Sequence, residues 1–144
     1  MSSNQIASII SIQLCLGHGE PMRVVEKAYA FSDFGLEGNR HSRNGSRRQI
    51  LLVDEESLEV LRLSSGELRE NITTSGLDVP GLVEGQKLSL GDDVIIEVTG
   101  YCEPCYLLDE IRDGLQEVVD GIRGMLAIVI KGGEVKVGDL IHVL

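Results

Sequence analysis

The chain contains no tryptophan, and its aromatic content is three Tyr and two Phe among 144 residues. A packed interior must therefore be built from Leu, Ile and Val. Positive charge is also scarce: 13 Lys and Arg stand against 23 Asp and Glu, a formal net charge of −10. That balance argues against nucleic acid and anionic membrane surfaces as partners. No apolar run reaches the roughly 20 residues that a bilayer span needs. Met1 to Gln5 carry no basic flank and Ile6 to Leu16 alternates like a strand, a pattern at odds with a secretory signal. Three cysteines, an odd number, in such a chain point to a reducing compartment, so a cytoplasmic protein is the expectation. Asn71-Ile72-Thr73 then reads as a chance match to a glycosylation acceptor. A Ser-His-Asp order, a P-loop, a dinucleotide-binding glycine motif and internal repeats are all missing.

What is present is an aliphatic chain, 42% hydrophobic, with a length that suits one domain over residues 1–144. Short β-branched runs bounded by Gly or polar clusters predict strands over 6–16, 23–28, 48–53, 68–73, 86–90, 94–98, 125–130, 134–137 and 140–144. Lys131-Gly132-Gly133-Glu134 predicts a hairpin turn between two of them. Helix signals are fewer. Asp54 to Arg62 begins with a capping acid and sets Leu58 and Leu61 on one face. The acids Asp54, Glu55 and Glu56 are those that a helix start favours, rather than a catalytic pair. Residues 104–112 and 114–122 read as shorter helices. The expected fold class is mostly β with short helices (α+β), an irregular β-barrel or sandwich.

Chemistry is concentrated in Cys102-Glu103-Pro104-Cys105, which follows the apolar run Val94 to Val98 and a turn at Gly100. Pro104 suits the first position of a helix, which would put Cys105 in the first turn, where free N–H groups and the dipole favour a thiolate. A thiolate there can bind a soft metal, attack an electrophile or carry sulfur. Cys102 either resolves a persulfide or packs beneath the turn. A structural alternative stands beside this. Cys15-Leu16-Gly17-His18 is a second ligand pair of the same spacing, so Cys15, His18, Cys102 and Cys105 would complete a zinc site in a non-catalytic binding module. A thioredoxin-like dithiol lacks its βαβ surroundings and aromatic-rich motif. Arg40, Arg43, Arg47 and Arg48 lie within nine residues, together with His41. That cluster is either a solvated loop or a phosphate contact, since guanidinium groups match phosphate oxygens in bidentate pairs.

Several segments occur in an order that is similar to one family. They are Gly19-Glu20-Pro21-Met22-Arg23, Gly35-Leu36-Glu37-Gly38-Asn39-Arg40-His41, Arg48-Gln49-Ile50-Leu51-Leu52-Val53, Leu68-Arg69-Glu70-Asn71-Ile72-Thr73-Thr74-Ser75-Gly76-Leu77, Glu97-Val98-Thr99-Gly100-Tyr101-Cys102-Glu103-Pro104-Cys105 and Val135-Lys136-Val137-Gly138-Asp139. From about Gly17 to the C-terminus the chain resembles the MOSC domain, named for the C-terminal domain of molybdenum cofactor sulfurase.

The resemblance implies a mostly-β barrel with one functional cysteine, which falls on Cys105. In relatives that bind the pterin molybdenum cofactor, such as the mitochondrial amidoxime-reducing component, the matching cysteine ligates molybdenum. Cofactor contacts are implied at Arg69 and Asn71 of the Arg-x-Asn segment, and further at Arg40, His41, Ser57 and Thr99. The implied chemistry is removal of oxygen from N-hydroxylated small molecules, or carriage of sulfur as a Cys105 persulfide. A cysteine desulfurase or a molybdoenzyme is then the implied partner, and pyridoxal phosphate the implied second cofactor. The chain has Asn39 where the family usually has Asp, which keeps an acceptor oxygen but loses the charge, so Arg40 is expected to be held less firmly. A cofactor site shared with the N-terminal barrel domain of the larger family enzymes would be incomplete here.

Overall fold

The β-branched runs fold as strands, and one of them divides where the sequence gives little warning. The structure, a computed structural model, describes residues 6–144; Met1 to Gln5, read above for a targeting signal, lie outside the described residues. The strands are β1 Ser8–Leu14, β2 Arg23–Val25, β3 Lys27–Phe31, β4 Gly35–Leu36, β5 Ile50–Asp54, β6 Ile72–Ser75, β7 Lys87–Leu90, β8 Val94–Tyr101, β9 Met125–Lys131, β10 Gly133–Lys136 and β11 Ile141–Val143. Two short α-helices accompany them, α1 Glu55–Leu61 and α2 Leu115–Val118, with 3₁₀ turns at Val79–Gly81 and Tyr106–Glu110. β4, two residues long, is too short to show an alternation in the sequence. The run Arg23 to Ala28 breaks at Glu26 into β2 and β3, which join different sheets.

Eight strands form one sheet in the order β11-β7-β8-β9-β5-β6-β1-β2, and β10, β3 and β4 form a second. β5 and β6 run parallel, because α1 carries the chain back across the sheet between them. The predominantly β fold with short helices is as expected, but the sheets do not close into a barrel. β1 meets the end of the chain through one bridge, Ser8 to Leu140, flanked by the Ile9 N–H donating to Asp139 O (2.9 Å) and the Ile141 N–H donating to Ala7 O (2.8 Å). The expected hairpin at residues 131–134 is also corrected. β9 pairs with β5 and β8, whereas β10 pairs with β3, so the Gly pair turns a corner between sheets. A Cβ at Gly132 would lie 2.5 Å from Ala30 O, so only glycine lets the chain cross so close to β3.

β5 is buried on both faces, and its alternation divides the interior in two. Ile50 and Leu52 enter the main core with Ile12, Ile72 and Ile96. Leu51 and Val53 point the other way, into a second core completed by Leu58 and Leu61 of α1, Leu108, Leu115 and Leu126. Each fully buried Leu or Ile contributes about 1.5–3 kcal/mol. α1 forms there because the Asp54 carboxylate caps it, accepting from Ser57 N–H at 3.2 Å, and it stops at Arg62 in a left-handed conformation with φ 57°. The buried members of both cores include no aromatic residue. The second core matters most, because one of its sides is the wall of a cavity.

Candidate functional site

The cavity, about 530 Å³, opens beside Leu51 and Leu126, a cross-strand pair on the outer face of β5 and β9. Its polar side is assembled by buried amides. β1 runs into Cys15, whose N–H donates to Asn39 Oδ1 at 2.8 Å, while Arg40 N–H donates to Cys15 O at 2.7 Å. Those bonds fix the loop carrying Arg40 and His41 onto the end of β1. Asn71 accepts from Leu51 N–H at 3.0 Å and donates through Nδ2 to Gln13 O at 3.2 Å and to Asn39 Oδ1 at 3.1 Å. Asn71 thereby ties β1, β5, β6 and the arginine loop together. Arg69 stands just ahead of β6 with φ 62°, a conformation that side-chain-bearing residues rarely adopt. From there its Nη1 donates to Glu20 O (2.9 Å), and its Nη2 to Gly17 O (3.0 Å) and Cys15 Sγ (3.3 Å).

The opposite side follows from β8. Cys102, buried, continues the strand by donating its N–H to Gly124 O at 2.9 Å. The chain then swings outward and leaves the Cys105 thiol exposed. Pro104 does not open a helix. Cys105 itself is the N-cap of the 3₁₀ turn Tyr106–Glu110, with extended φ −129° and ψ 167° and no capping bond from its side chain. A proline biases its predecessor toward extended backbone, and the extended path here continues through Cys105. The thiol is thus set apart by exposure on the cavity wall, not by a place in a helical turn. The same 3₁₀ turn brings Leu107 and Leu108 to the cavity, where with Ile111, Leu51 and Leu126 they make an apolar wall.

Cys105, Cys102, Arg69, Asn71, Arg40 and His41 all line this one cavity, joined by Arg48. Ser57 and Thr99 do not. Ser57 is buried at the start of α1, and Thr99 donates its hydroxyl to Arg47 O at 2.6 Å. The arginine cluster divides as well: Arg40 and Arg48 face the cavity, whereas Arg47 pairs with Glu84 at 2.9 Å outside it. The zinc set of the alternative reading is not assembled among the described residues. Cys15, His18, Cys102 and Cys105 share the cavity, yet no three His, Cys, Asp or Glu side chains among the described residues group closely enough to hold a metal ion. Asn39 uses its oxygen for Cys15 N–H and Asn71 Nδ2, so it supports the loop backbone.

One lining residue escaped the sequence reading. Arg123, only 9% exposed, sits in the turn before β9, and its Nε and Nη1 have no hydrogen-bond partner among the described residues. A single Arg between Ile122 and Gly124 belongs to no cluster, so nothing local marked it. With Arg40, Arg48 and Arg69 it gives the cavity four guanidinium groups against one lining carboxylate, Glu110. Partial burial, and then the charges of Arg40, Arg48 and Arg69, hold the His41 imidazole below its ordinary pKa. Glu70, directly after Arg69, is fully buried, and burial pushes its carboxyl up; bonds from Gly66 N–H and Thr73, and the charge of Arg123, partly offset that. A strongly cationic, partly apolar cavity beside an exposed thiol suits an anionic ligand with a soft centre.

Comparison with known proteins gives the family and the fold. The MOSC domain family matches residues 38–142. YuaD from Bacillus subtilis has the same fold, with a TM-score of 0.81 at 21% identity over 94% of each chain. YiiM from Geobacillus stearothermophilus aligns with a TM-score of 0.78 at 16% identity, over 96% of this chain and 75% of that one. YiiM from Escherichia coli aligns with a TM-score of 0.71 at 21% identity, over 94% and 69% respectively. No curated protein matches the chain. No helix among the described residues is long and apolar enough to cross a membrane. The chain belongs to the MOSC domain family, which is associated in general with molybdenum-cofactor proteins.

Proposed function

We propose that the cavity receives a pterin-type molybdenum cofactor, with Cys105 as the sulfur ligand of the metal or as the carrier of a persulfide sulfur. The observation that carries this reading is the convergence of Arg40, Arg48, Arg69 and Arg123 with the exposed Cys105 thiol in one cavity of a chain with net charge −10. The residues fit such a group on their own chemistry. Arg123 has two donors without partners in a nine-tenths-buried position, and a thiolate is a ligand type that soft metals select. When bound, molybdenum supplies two-electron oxygen-atom transfer, the chemistry needed to remove oxygen from N-hydroxylated small molecules.

The chain's own residues have separable tasks in this reading. The guanidinium groups bind the anionic end of the ligand. The Leu51, Leu108 and Leu126 wall excludes water from its body, and His41, on the same cavity wall, offers a ring nitrogen as a hydrogen-bond donor. Arg69 and Asn71 position these groups: Arg69 holds the Cys15–Glu20 loop, and Asn71 holds the arginine loop against the sheet. Buried Cys102 packs under the turn that presents Cys105. In the carrier version Cys105 takes a sulfane sulfur from a cysteine desulfurase, itself a pyridoxal phosphate enzyme, and returns to the thiol on delivery to a molybdoenzyme.

The test is elemental and sulfane-sulfur analysis of the protein produced in cells that make the cofactor. Wild type and Cys102→Ser should carry molybdenum or sulfane sulfur, and Cys105→Ser should carry neither. Equal loading of the Cys105→Ser variant contradicts the proposal.

A further inference from the structure

β8 does not keep one phase along its length. Val94, Ile96 and Val98 point into the main core, but after Val98 the strand gains a residue. Val98 pairs with Ala127 and Gly100 with Leu126, which leaves Thr99 between them as a β-bulge. The extra residue reverses the alternation. Beyond it Tyr101 packs against the main core, while Cys102 enters the second core, on the side where the cavity lies. Without the bulge Cys102 would fall on the same face as Val94, Ile96 and Val98, and the arm ending in Cys105 would leave the strand on the side away from the cavity.

The bulge is fastened to the arginine loop. Buried Thr99 donates its hydroxyl to Arg47 O at 2.6 Å, and Arg47 Nη2 donates in return to Thr99 O at 3.1 Å. Among the described residues, these are the hydrogen bonds that join residues 40–48 to β8; others tie the loop to Cys15, Asp33 and Phe34. Arg48, the next residue, faces the cavity. The clamp thus connects the loop that carries Arg40 and Arg48 to the strand that presents Cys102 and Cys105. The Glu84 carboxylate, 2.9 Å from the same guanidinium, makes an exposed ion pair of the kind that adds little. We propose that Arg47 and Thr99 are positioning residues of the site: their reciprocal bonds hold the β8 bulge to the arginine loop and keep the Cys105 thiol in the field of Arg40 and Arg48. Neither residue lines the cavity. The proposal rests on the reading of that cavity given above, in which Cys105 acts beside the arginines.

Alkylation of Cys105 by anionic iodoacetate and by neutral iodoacetamide, at low salt and read by peptide mass spectrometry, tests it. The rate ratio of the two reagents reports the positive field at the thiol, whereas a fold that is merely loosened speeds both alike. Thr99→Val keeps the shape and removes the hydroxyl, and it should lower the ratio at least about twofold. Arg47→Lys keeps the charge but loses the planar fork, and it should do the same. Thr99→Ser should keep the wild-type ratio. Glu84→Gln should not lower it, because both bonds between Arg47 and Thr99 survive that change. If Thr99→Val does not fold, Arg47→Lys, a substitution at an exposed side chain, carries the test. Three results overturn the proposal: an undiminished ratio in Thr99→Val or Arg47→Lys, a diminished one in Thr99→Ser, or a fall in Glu84→Gln equal to that in Arg47→Lys. A wild-type ratio no higher than that of free cysteine overturns the cavity reading as well, so the two failures are told apart.

Discussion

His41 is the residue that reports most directly on the field inside the cavity. Burial and the charges of Arg40, Arg48 and Arg69 all disfavour its imidazolium. In an NMR titration its midpoint should lie below about 6.5, the ordinary histidine value, and should rise when phosphate occupies the cavity and offsets the arginines. Between the folded and unfolded pKa values the unfolded chain binds more protons. The contribution of His41 to stability is therefore present above about pH 6.5 and is lost as the pH falls toward the folded value. A midpoint at or above the ordinary value would mean that the arginines do not surround it. Asn71 makes the complementary point. Its amide serves Leu51 N–H, Gln13 O and Asn39 Oδ1, all buried; Asn39 Oδ1 keeps its bond from Cys15 N–H, so Asn71→Ala should cost about 2–6 kcal/mol in urea unfolding, one to three for each of the two groups left unsatisfied. A loss well under about 1 kcal/mol would mean that these bonds are not formed in solution. The Arg-x-Asn spacing drew attention to Asn71 in the sequence, but no spacing shows that every polar atom of its side chain is used within the fold. Arg123 was invisible for the opposite reason: what distinguishes it is a lack of partners, which only the folded chain has.

At the level of elements, short β-branched runs bounded by Gly or polar clusters made most strands legible, and β5, buried on both faces, is apolar from Ile50 to Val53. The capping acid at Asp54 marked α1 equally well. Pairing partners were not legible, since Lys131-Gly132-Gly133-Glu134 has the residues of a hairpin turn while the two strands it joins pair elsewhere. The 104–112 segment misled for a related reason: Pro104 fits both a helix start and an extended approach to one, and the sequence does not say which. Gly124 shows how tightly elements set the site. It has φ 124°, and an added Cβ would lie 2.6 Å from Leu52 O and 2.8 Å from Val53 Cγ2. Gly124→Ala should therefore force β9 away from β5, lower the melting temperature markedly and weaken phosphate binding through the adjacent Arg123. Unchanged melting would show that β5 and β9 are not packed so closely at that point.

For the molecule as a whole, the segments from Gly19 to Asp139 carried the family, and the scarcity of aromatics carried an aliphatic core; both are seen in the fold. Closure of the barrel was not legible, because it depends on how far β1 and the last strand approach, a sum of many small twists. Zinc should contribute nothing to stability: a strong chelator should leave the melting temperature unchanged, and Cys15→Ala should lose no bound metal. A large fall with stoichiometric zinc released would restore the four-ligand reading. The central claim is that the Cys105 thiol and the arginines share one cationic cavity. It is tested most directly by alkylating Cys105 with anionic iodoacetate and neutral iodoacetamide, followed by peptide mass spectrometry. The rate ratio should exceed that of free cysteine several-fold at low salt. It should fall toward the free value with added phosphate, at high ionic strength, and in Arg40→Gln and Arg123→Gln. A ratio equal to that of free cysteine, indifferent to phosphate and to both substitutions, would contradict it.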